Sequence, residues 1–355
     1  MIKQAGQGWM LARLEQTSTF LGRAAGILIL VAASTLQASV RGETSVRQRD
    51  VVEETHRAEG EAILAIADAA MTGKSAPSDF ALQWQNDFVK AQRGTFVPFT
   101  LTVDASQLTK LSALVYVRAR RRQTQDDSYA VDAIFPVELK PDDRQLSRIS
   151  RGFSVAPGEY DVLVVMRERV DPAAAAGKSR TRPKAAVLRQ PLNVPEFRSG
   201  ELTTSSVIVA DRLTTLDEPV PVDQLAERPY AIGRNEITPA ADRRFRKDEE
   251  LVVVLLVYNP MVTPERQFDV KVEYHFFRKV GAGTGEQYFN HTEPQRFTPA
   301  LMGPGFDAAS GDPVMAGQVV PLSGFQEGEY RLGVQVLDLL SGKSISRDVF
   351  FTVGS

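Results

Sequence analysis

The dominant pattern in the chain is alternation of apolar and polar residues, which begins near Thr95 and continues to Val353. Turn residues interrupt the alternation about every ten positions, as is typical of antiparallel β-sandwiches. The pattern predicts an all-β protein with two tandem domains, over 95–195 and 196–355. The segments predicted as strands of the first domain are TFVPFTLTVD, LSALVYVRAR, SYAVDAIFPVEL, LSRISRGFSVA, EYDVLVVMRERV and KAAVLRQPLNVP.

One segment of the second domain departs from simple alternation. LVVVLLVY at 251–258 is apolar at every position. A strand with apolar residues on both faces is expected at the centre of a sheet that is covered on each side, and the β-branched residues argue against a helix. At 160 residues this domain exceeds the roughly 100 of a simple sandwich, which predicts an extra strand and a long loop at 299–315.

The segment 39–94 is predicted to form a polar leader followed by short helices. Residues 39–61 are charged, whereas AILAIADAAM at 62–71 has helical spacing of its apolar residues. Phe80, Trp84 and Phe88 are spaced as one stripe on a second short helix, although Phe80, Leu82 and Trp84 also fit a strand. The stripe is expected to pack on the first β-domain, or alternatively on a partner.

A Gly-Glu-Tyr motif occurs twice, in GFSVAPGEYDVLVVMRE at 152–168 and in GFQEGEYRLGVQVLD at 324–338. In both copies a phenylalanine precedes a tight turn, and apolar alternation follows the tyrosine. This pattern resembles the penultimate strand of immunoglobulin-like and fibronectin type III-like β-sandwiches. The resemblance implies two such sandwiches of the kind found in exported proteins, with Tyr160 and Tyr330 as structural tyrosine corners. It implies nothing about function, because the fold carries many unrelated activities.

The N-terminal segment has the organisation of a secretory signal peptide. Basic residues Lys3, Arg13 and Arg23 precede the apolar run AAGILILVAA and a polar segment. The run is too short for a membrane-spanning helix, which needs about 20 apolar residues. We expect residues 1–38 to be removed, leaving no stable membrane span and placing the mature protein in the periplasm or outside the cell.

The absence of cysteine excludes disulfides, thiolate zinc sites and cysteine nucleophiles. Residues 1–38 carry three basic side chains and one acid, so removing them changes the net charge from −2 to −4. This balance gives no reason to expect nucleic acid as a partner. The run RARRR at 118–122 has no interleaved aromatic residues, and we interpret it as solvated.

No catalytic motif is present, so the chain is predicted not to be an enzyme and to need no cofactor. The three histidines, His56, His275 and His291, are isolated in sequence and share no ligand spacing, so no metal site is predicted. A hydrolase with a site between the domains remains a minor alternative, because a convergent triad leaves no sequence motif.

The best candidate surface lies on the second domain. If Tyr274 and Phe276 face the core, then His275 and Phe277 face outward, with Tyr288 and Phe289 across a predicted hairpin. Exposed aromatic residues can anchor another protein or stack on a sugar, although a cross-strand pair beneath a loop is the simpler interpretation. The sequence therefore favours an exported, non-catalytic module that binds or spaces another envelope or extracellular protein. The alternative is a carbohydrate-binding module.

Overall fold

A computed structural model describes residues 42–122, 129–170, 182–240, 242–281, 285–303 and 305–354, with side chains from His56 onward. The predicted signal peptide lies outside these ranges. No helix within them has both the length and the apolar character needed to cross a bilayer. The described chain is mostly strand, with one long α-helix, so the predicted all-β sandwich class is confirmed.

The first sandwich consists of eight strands in two antiparallel sheets. Sheet A has the order β5-β4-β7-β8, and in sheet B the strand β3 pairs with β6 on one side and with β1 and β2 on the other. All six predicted strands are present. The bounds are β1 (Leu82–Asn86), β2 (Val89–Lys90), β3 (Thr95–Asp104), β4 (Ser112–Arg121), β5 (Val131–Glu138), β6 (Leu146–Val155), β7 (Gly158–Glu168) and β8 (Ala185–Val194).

The aromatic stripe at 80–88 belongs to this sandwich, and the predicted second helix is wrong. Leu82–Asn86 forms an edge strand on β3, where Trp84 stacks on Phe99 with ring centroids 4.3 Å apart. Phe80 is buried in the same core and Phe88 packs against it. Short aromatic runs fit either period, and here backbone pairing with the open edge of β3 decides in favour of the strand.

The single long helix, α1 (Gly42–Met71), begins about 20 residues earlier than its predicted apolar core. The charged segment that precedes Ile63 is rich in Glu and Arg, which are good helix formers, so its polarity does not oppose a helix. Ile63, Ala67 and Ala70 are fully buried against the outer face of sheet A. This contact explains why β4 is buried on both faces.

A buried carboxylate also ties the helix to the first sandwich. Glu59 is 2% exposed and pairs with Arg169 at 3.3 Å, and it accepts a hydrogen bond from the backbone N–H of Val170. One turn before the helix ends, Asp68 pairs with Arg118 of β4 at 3.1 Å. The C-terminal half of α1 is therefore held to sheet A by apolar and charged contacts.

The second sandwich also consists of two sheets. Sheet C has the order β11-β12-β10-β14-β18 with β9 beside β14, and sheet D has the order β13-β20-β19-β15-β16 with β17 beside β15. All pairs are antiparallel except β13 with β20. The bounds are β9 (Thr203–Thr204), β10 (Ile208–Thr215), β11 (Ala231–Ile232), β12 (Asn235–Pro239), β13 (Arg244–Arg246), β14 (Glu250–Tyr258), β15 (Val270–Lys279), β16 (Glu286–His291), β17 (Gln295–Phe297), β18 (Val314–Pro321), β19 (Gly328–Asp338) and β20 (Ser344–Gly354).

The all-apolar segment 251–258 is β14, a central strand of sheet C, as predicted. Its inward residues Val253 and Leu255 join the core between sheets C and D. Its outward residues are covered as well: Val252 packs with Tyr230 and Ile237, and Leu256 packs with Phe197. In the predicted long loop at 299–315, the described residues include two single-turn 3₁₀ helices, Pro299–Leu301 and Ala308–Ser310.

The two sandwiches contact each other through a mixed apolar and polar junction. Phe88 and Val89 of the first sandwich pack against a small cluster that includes Tyr258 of the second. Phe88 and Ser206 exchange two hydrogen bonds, of 2.9 and 3.0 Å. One of these bonds joins backbone to backbone and the other reaches the Ser206 hydroxyl, so the two sandwiches are joined at defined residues.

A buried ionisable pair lies at the same junction. Asp87 is 2% exposed and accepts a hydrogen bond of 3.1 Å from the hydroxyl of Tyr230, which is also buried. Burial raises the pKa of Asp87 to about 6, although the hydrogen bond from Tyr230 and the charge of Arg243 act in the opposite direction. Stability at this junction therefore depends on pH.

Candidate functional site

The predicted surface lies on the outer face of sheet D, where four large side chains form a line across neighbouring strands. Register places Tyr288 of β16 opposite Phe277 of β15, Phe277 opposite Arg331 of β19, and Arg331 opposite Phe350 of β20. We call these four residues the aromatic row. With strands about 4.8 Å apart, the row spans roughly 14 Å.

Contacts within the aromatic row fix its central members. The Phe277 and Tyr288 rings meet edge to face with centroids 5.7 Å apart. The guanidinium of Arg331 lies 4.1 Å from the centre of the Phe277 ring and pairs with Glu286 at 2.7 Å and with Asp348 at 2.7 Å. Arg331 is thus held on three sides, while Tyr288 and Phe350, at the two ends, are half exposed, at 51% and 50%.

A second line of residues runs parallel to the aromatic row on the same face. On β15, β19 and β20 its members lie two residues from those of the aromatic row. It contains His291, His275, Gly333 and Asp348, paired in that order across the same four strands, and we call it the histidine row. The ring centroids of His275 and His291 are 6.3 Å apart. A Cβ at Gly333 would lie 3.3 Å from Arg331 and 3.6 Å from Phe277, so the glycine gives both side chains room to lie over β19.

Phe289 does not share this outer surface. The register between β15 and β16 shifts by one residue at Phe276 and Phe277, which leaves Phe289 as the extra residue of a β-bulge. Its ring packs inward, 4.8 Å from Phe325 and 5.4 Å from Tyr330. The structure therefore brings together His275, Phe277 and Tyr288 on one face, and it corrects the placement of Phe289, which contributes to the core.

The two motif tyrosines lie in equivalent hydrogen-bonded turns. The Tyr160 hydroxyl donates to the carbonyl of Ala156 at 2.9 Å, and the Tyr330 hydroxyl donates to the carbonyl of Gln326 at 2.7 Å. Both side chains are buried, and burial raises the pKa of each phenol. This is the geometry of a tyrosine corner.

An arginine accompanies each corner. Arg121 lies opposite Tyr160 on the neighbouring strand and donates to the carbonyl of Pro157, which precedes Gly158. The equivalent residue, Arg278, lies opposite Tyr330 and donates to the carbonyl of Glu327. Gly158 and Gly328 have φ of +142° and +147°, where a side chain would be strained and would crowd the arginine.

The run at 118–122 is more structured than its sequence indicates. Arg118 is only 8% exposed, and its guanidinium lies 4.1 Å from the ring centre of Tyr129 and 5.1 Å from that of Tyr116. Arg118 therefore packs beneath the end of α1, and the interpretation of the run as solvated is wrong for this residue, whereas Arg121 and Arg122 are exposed. A cavity of about 480 Å³ adjoins this run. It is lined by five arginines and six other residues: Arg118, Arg120, Arg121, Arg122, Arg189, Met71, Asp161, Val162, Leu163, Gln190 and Pro191.

The sequence did not predict that Arg331 and Phe350 belong to this surface, nor that His275 and His291 lie opposite each other on neighbouring strands. Each depends on which strands are neighbours, and no local pattern reveals strand order. One signal in the sequence was usable. Successive side chains of a strand point to opposite faces, and Arg331 and Phe350 lie at the outward-facing positions of their strands.

Comparison with known proteins adds little. No family model matches the chain, and no curated protein matches it. Among solved structures, the crystal structure of Salmonella alpha-2-macroglobulin reacted with methylamine is similar at 13% sequence identity and a TM-score of 0.21. The match covers 79% of this chain, which spans only 17% of the macroglobulin chain. Similarity at that TM-score is too low to indicate a shared function.

Proposed function

We propose that this protein is an exported, non-catalytic β-sandwich module of the cell envelope that binds another protein through the outer face of sheet D. Export is proposed from the charge and hydropathy pattern of residues 1–38. The observation that carries the binding proposal is the aromatic row.

The composition of the aromatic row supports a protein partner. Energetic hot spots in protein interfaces are enriched in Tyr, Trp and Arg and surround themselves with weaker contacts. Here Tyr288 and Phe350 project at the two ends, and Arg331 between them is already held by two carboxylates. A side chain that is ordered before binding loses less entropy when the partner arrives.

Carbohydrate binding, the alternative, finds less support at Phe277. A sugar stacks on an open ring face, but the Arg331 guanidinium lies over the Phe277 ring and Tyr288 meets it edge to face. Of the aromatic row, only Tyr288 and Phe350 remain half exposed, and they are separated by two strands. A glycan array in which wild type binds and Phe277→Ala does not would favour the carbohydrate alternative.

The junction between the sandwiches supports a spacing role. Hydrogen bonds between Phe88 and Ser206, and between Lys90 and the hydroxyl of Tyr258, join backbone and side chains of the two units. An oriented pair of sandwiches presents sheet D at a defined distance from α1. A scaffold must hold its binding surfaces at a defined separation, which two domains joined by a flexible linker do not provide.

The test is site-specific photo-cross-linking in intact cells of the native host. A photoreactive residue at Tyr288 or at Phe350 should yield the same cross-linked protein. The control position is Val222, which is 84% exposed and lies in the 3₁₀ helix Val222–Gln224, between strands β10 and β11 of sheet C. The double variant Tyr288→Ala/Phe350→Ala should abolish the interaction while leaving the thermal midpoint of unfolding within a few degrees of wild type, since both side chains are half exposed. Identical cross-links from Val222, or none from either aromatic position, would refute the proposal.

A further inference from the structure

Two of the three histidines in the chain face each other on the surface of sheet D. His275 and His291 are a directly opposed pair on antiparallel strands, with ring centroids 6.3 Å apart and ring planes 31° from parallel. Opposed residues have Cβ atoms about 4.5–5.5 Å apart. His291 is exposed and the His275 side chain is one-third exposed, so both rings can reorient without moving the backbone.

A hydrogen bond positions one of these rings for ligation. The Tyr288 hydroxyl and Nδ1 of His291 are 2.7 Å apart. When Nδ1 carries the proton, it donates to the hydroxyl oxygen and leaves Nε2 unprotonated, with its lone pair available. Metal-binding histidines commonly use one ring nitrogen in this way, since the partner fixes the tautomer and the ring orientation.

A carboxylate lies next to the other ring. Glu273 is on the same face of β15, two residues before His275, and its Oε2 is 3.8 Å from Nε2 of His275. Lys271 pairs with the other oxygen of Glu273 at 2.9 Å and so orients the carboxylate. Two imidazoles and one carboxylate thus occupy adjacent positions on one exposed surface.

We propose that His275 and His291 form an open binding site for a divalent transition-metal ion, Zn²⁺ or Cu²⁺, with Glu273 as a third ligand after side-chain rotation. Imidazole suits both ions, whereas Mg²⁺ and Ca²⁺ prefer sites made of oxygen ligands. Among the described residues, no three imidazole or carboxylate groups already converge as a closed metal centre. Water would therefore complete the coordination, and the site would exchange metal more readily than a closed structural site. The site shares Tyr288 with the aromatic row, but metal binding does not require the protein partner proposed above.

The experiment is calorimetric titration of the untagged chain with ZnCl₂ and separately with CuCl₂. One equivalent of at least one ion should bind. His275→Ala and His291→Ala should each raise the Kd about tenfold or more. The matched control is His56→Ala, which removes the remaining histidine, an exposed residue of α1, and should leave the Kd unchanged.

Two further variants separate ligation from general disturbance of the surface. Tyr288→Phe keeps the ring but removes the partner of Nδ1, and should weaken binding by roughly 10-fold, the usual cost of losing such a partner. Glu273→Gln should weaken binding without changing the number of sites. Nitrogen-detected NMR of the imidazoles should show both rings shifting together on addition of Zn²⁺.

Any of three results would overturn the proposal. The first is that neither ion binds to the wild-type chain. The second is that both histidine variants bind with the wild-type Kd, and the third is that His56→Ala abolishes binding. The thermal midpoint of unfolding is measured for each variant. A midpoint equal to that of wild type shows that the loss of metal binding is not caused by unfolding. If either alanine variant is destabilised, the corresponding His→Gln substitution replaces it.

Discussion

Tyr160 and Tyr330 occupy equivalent positions in the two sandwiches: each hydroxyl donates a hydrogen bond to the backbone carbonyl four residues earlier. The equivalence extends to the cross-strand arginine that caps each turn, Arg121 in one case and Arg278 in the other. The repeated Gly-Glu-Tyr thus specifies a complete local structure, in which a turn, a tyrosine and an arginine from the next strand are held together.

The repeat also includes the far end of each strand. Glu168 ends β7 and Asp338 ends β19, each ten residues after the motif glycine, and both are buried. Glu168 accepts hydrogen bonds from the backbone N–H groups of Thr109, Lys110 and Lys184. Asp338 accepts in the same way from the N–H groups of Met261, Leu340 and Ser341. Both carboxylates therefore fasten the loops at that end of the sandwich.

Removing either tyrosine hydroxyl should destabilise the protein modestly. In Tyr160→Phe and Tyr330→Phe, the carbonyls of Ala156 and Gln326 lose their side-chain donor, at a cost of about 1 kcal/mol each. Denaturant titration measures the change. Tyr288→Phe is the control, because that hydroxyl is at the surface and its loss should change the free energy of unfolding by less than about 0.5 kcal/mol. Equal midpoints for wild type and Tyr330→Phe would contradict the structural role of the corner.

Neutralising Glu168 should cost more. Burial by itself raises the pKa of Glu168, but hydrogen bonds from three backbone N–H groups and from the Thr109 hydroxyl lower it below its usual value. Glu168→Gln replaces one acceptor oxygen by an amide that faces N–H donors, and we expect a loss of about 2–3 kcal/mol in the free energy of unfolding.

The matched control for Glu168→Gln is Glu138→Gln, at an exposed carboxylate that bonds only to Ser112 among the described residues. Urea titration at pH 7 compares the two variants. If both shift the midpoint equally, the loop-fastening role of Glu168 is wrong.

The junction residue Asp87 should make stability fall as pH rises. Its pKa is about 6 in the folded protein and about 3.9 in an unfolded chain. Its contribution is therefore complete below pH 4 and is lost as pH rises through 6, because the folded state must then hold a buried charge. Between pH 4.5 and 7.5 the loss should be about 2 kcal/mol.

Asp87→Asn isolates this effect, since the amide cannot ionise. The variant should show a smaller decline in urea midpoint than wild type between pH 5 and 7.5; the remaining decline includes the contribution of Asp211, whose pKa burial also raises. Glu168 does not interfere, because its lowered pKa confines its own contribution to changes at more acidic pH. Parallel pH profiles for wild type and variant would show that Asp87 does not govern the junction.

Loosening α1 should have a local effect. Ile63 is fully buried between the helix and sheet A, so Ile63→Ala should weaken docking of the helix by about 2–4 kcal/mol. Amide hydrogen exchange should accelerate strongly in residues 59–71 and remain slow in β14 of the other sandwich. Met71→Ala, at a 39% exposed position at the helix end, serves as the control and should leave exchange nearly unchanged. Uniform acceleration across both sandwiches would contradict local docking.

Several features could be predicted from the sequence because they depend on local physics. Period-2 alternation and recurrent turns predict the six strands of the first sandwich, and a wholly apolar strand predicts a central position for β14. Because side chains two residues apart in a strand point to the same face, His275 and Phe277 are predicted to lie on one face of β15. Gly-x-Tyr predicts a tyrosine whose hydroxyl bonds to its own turn, since donor and acceptor are only four residues apart.

Other features could not be predicted, because they depend on contacts between distant segments. Leu82–Asn86 is a strand only because β3 offers an open edge. The polar start of α1 resembles a leader, since its residues favour a helix without showing an apolar face. The single-residue register shift in β16 sends Phe289 inward and leaves Tyr288 outside, and a shift of this kind is invisible in an alternating pattern.

The sequence by itself determined most of the long strands, the two tyrosine turns and which side of β15 His275 and Phe277 occupy, because backbone geometry and hydrophobic periodicity act over a few neighbouring positions. Only the tertiary structure decided that Tyr288, Phe277, Arg331 and Phe350 form one line and that His275 faces His291. Those relationships follow from strand order and register, which are set by packing of the whole sandwich and by pairing between residues far apart in the chain.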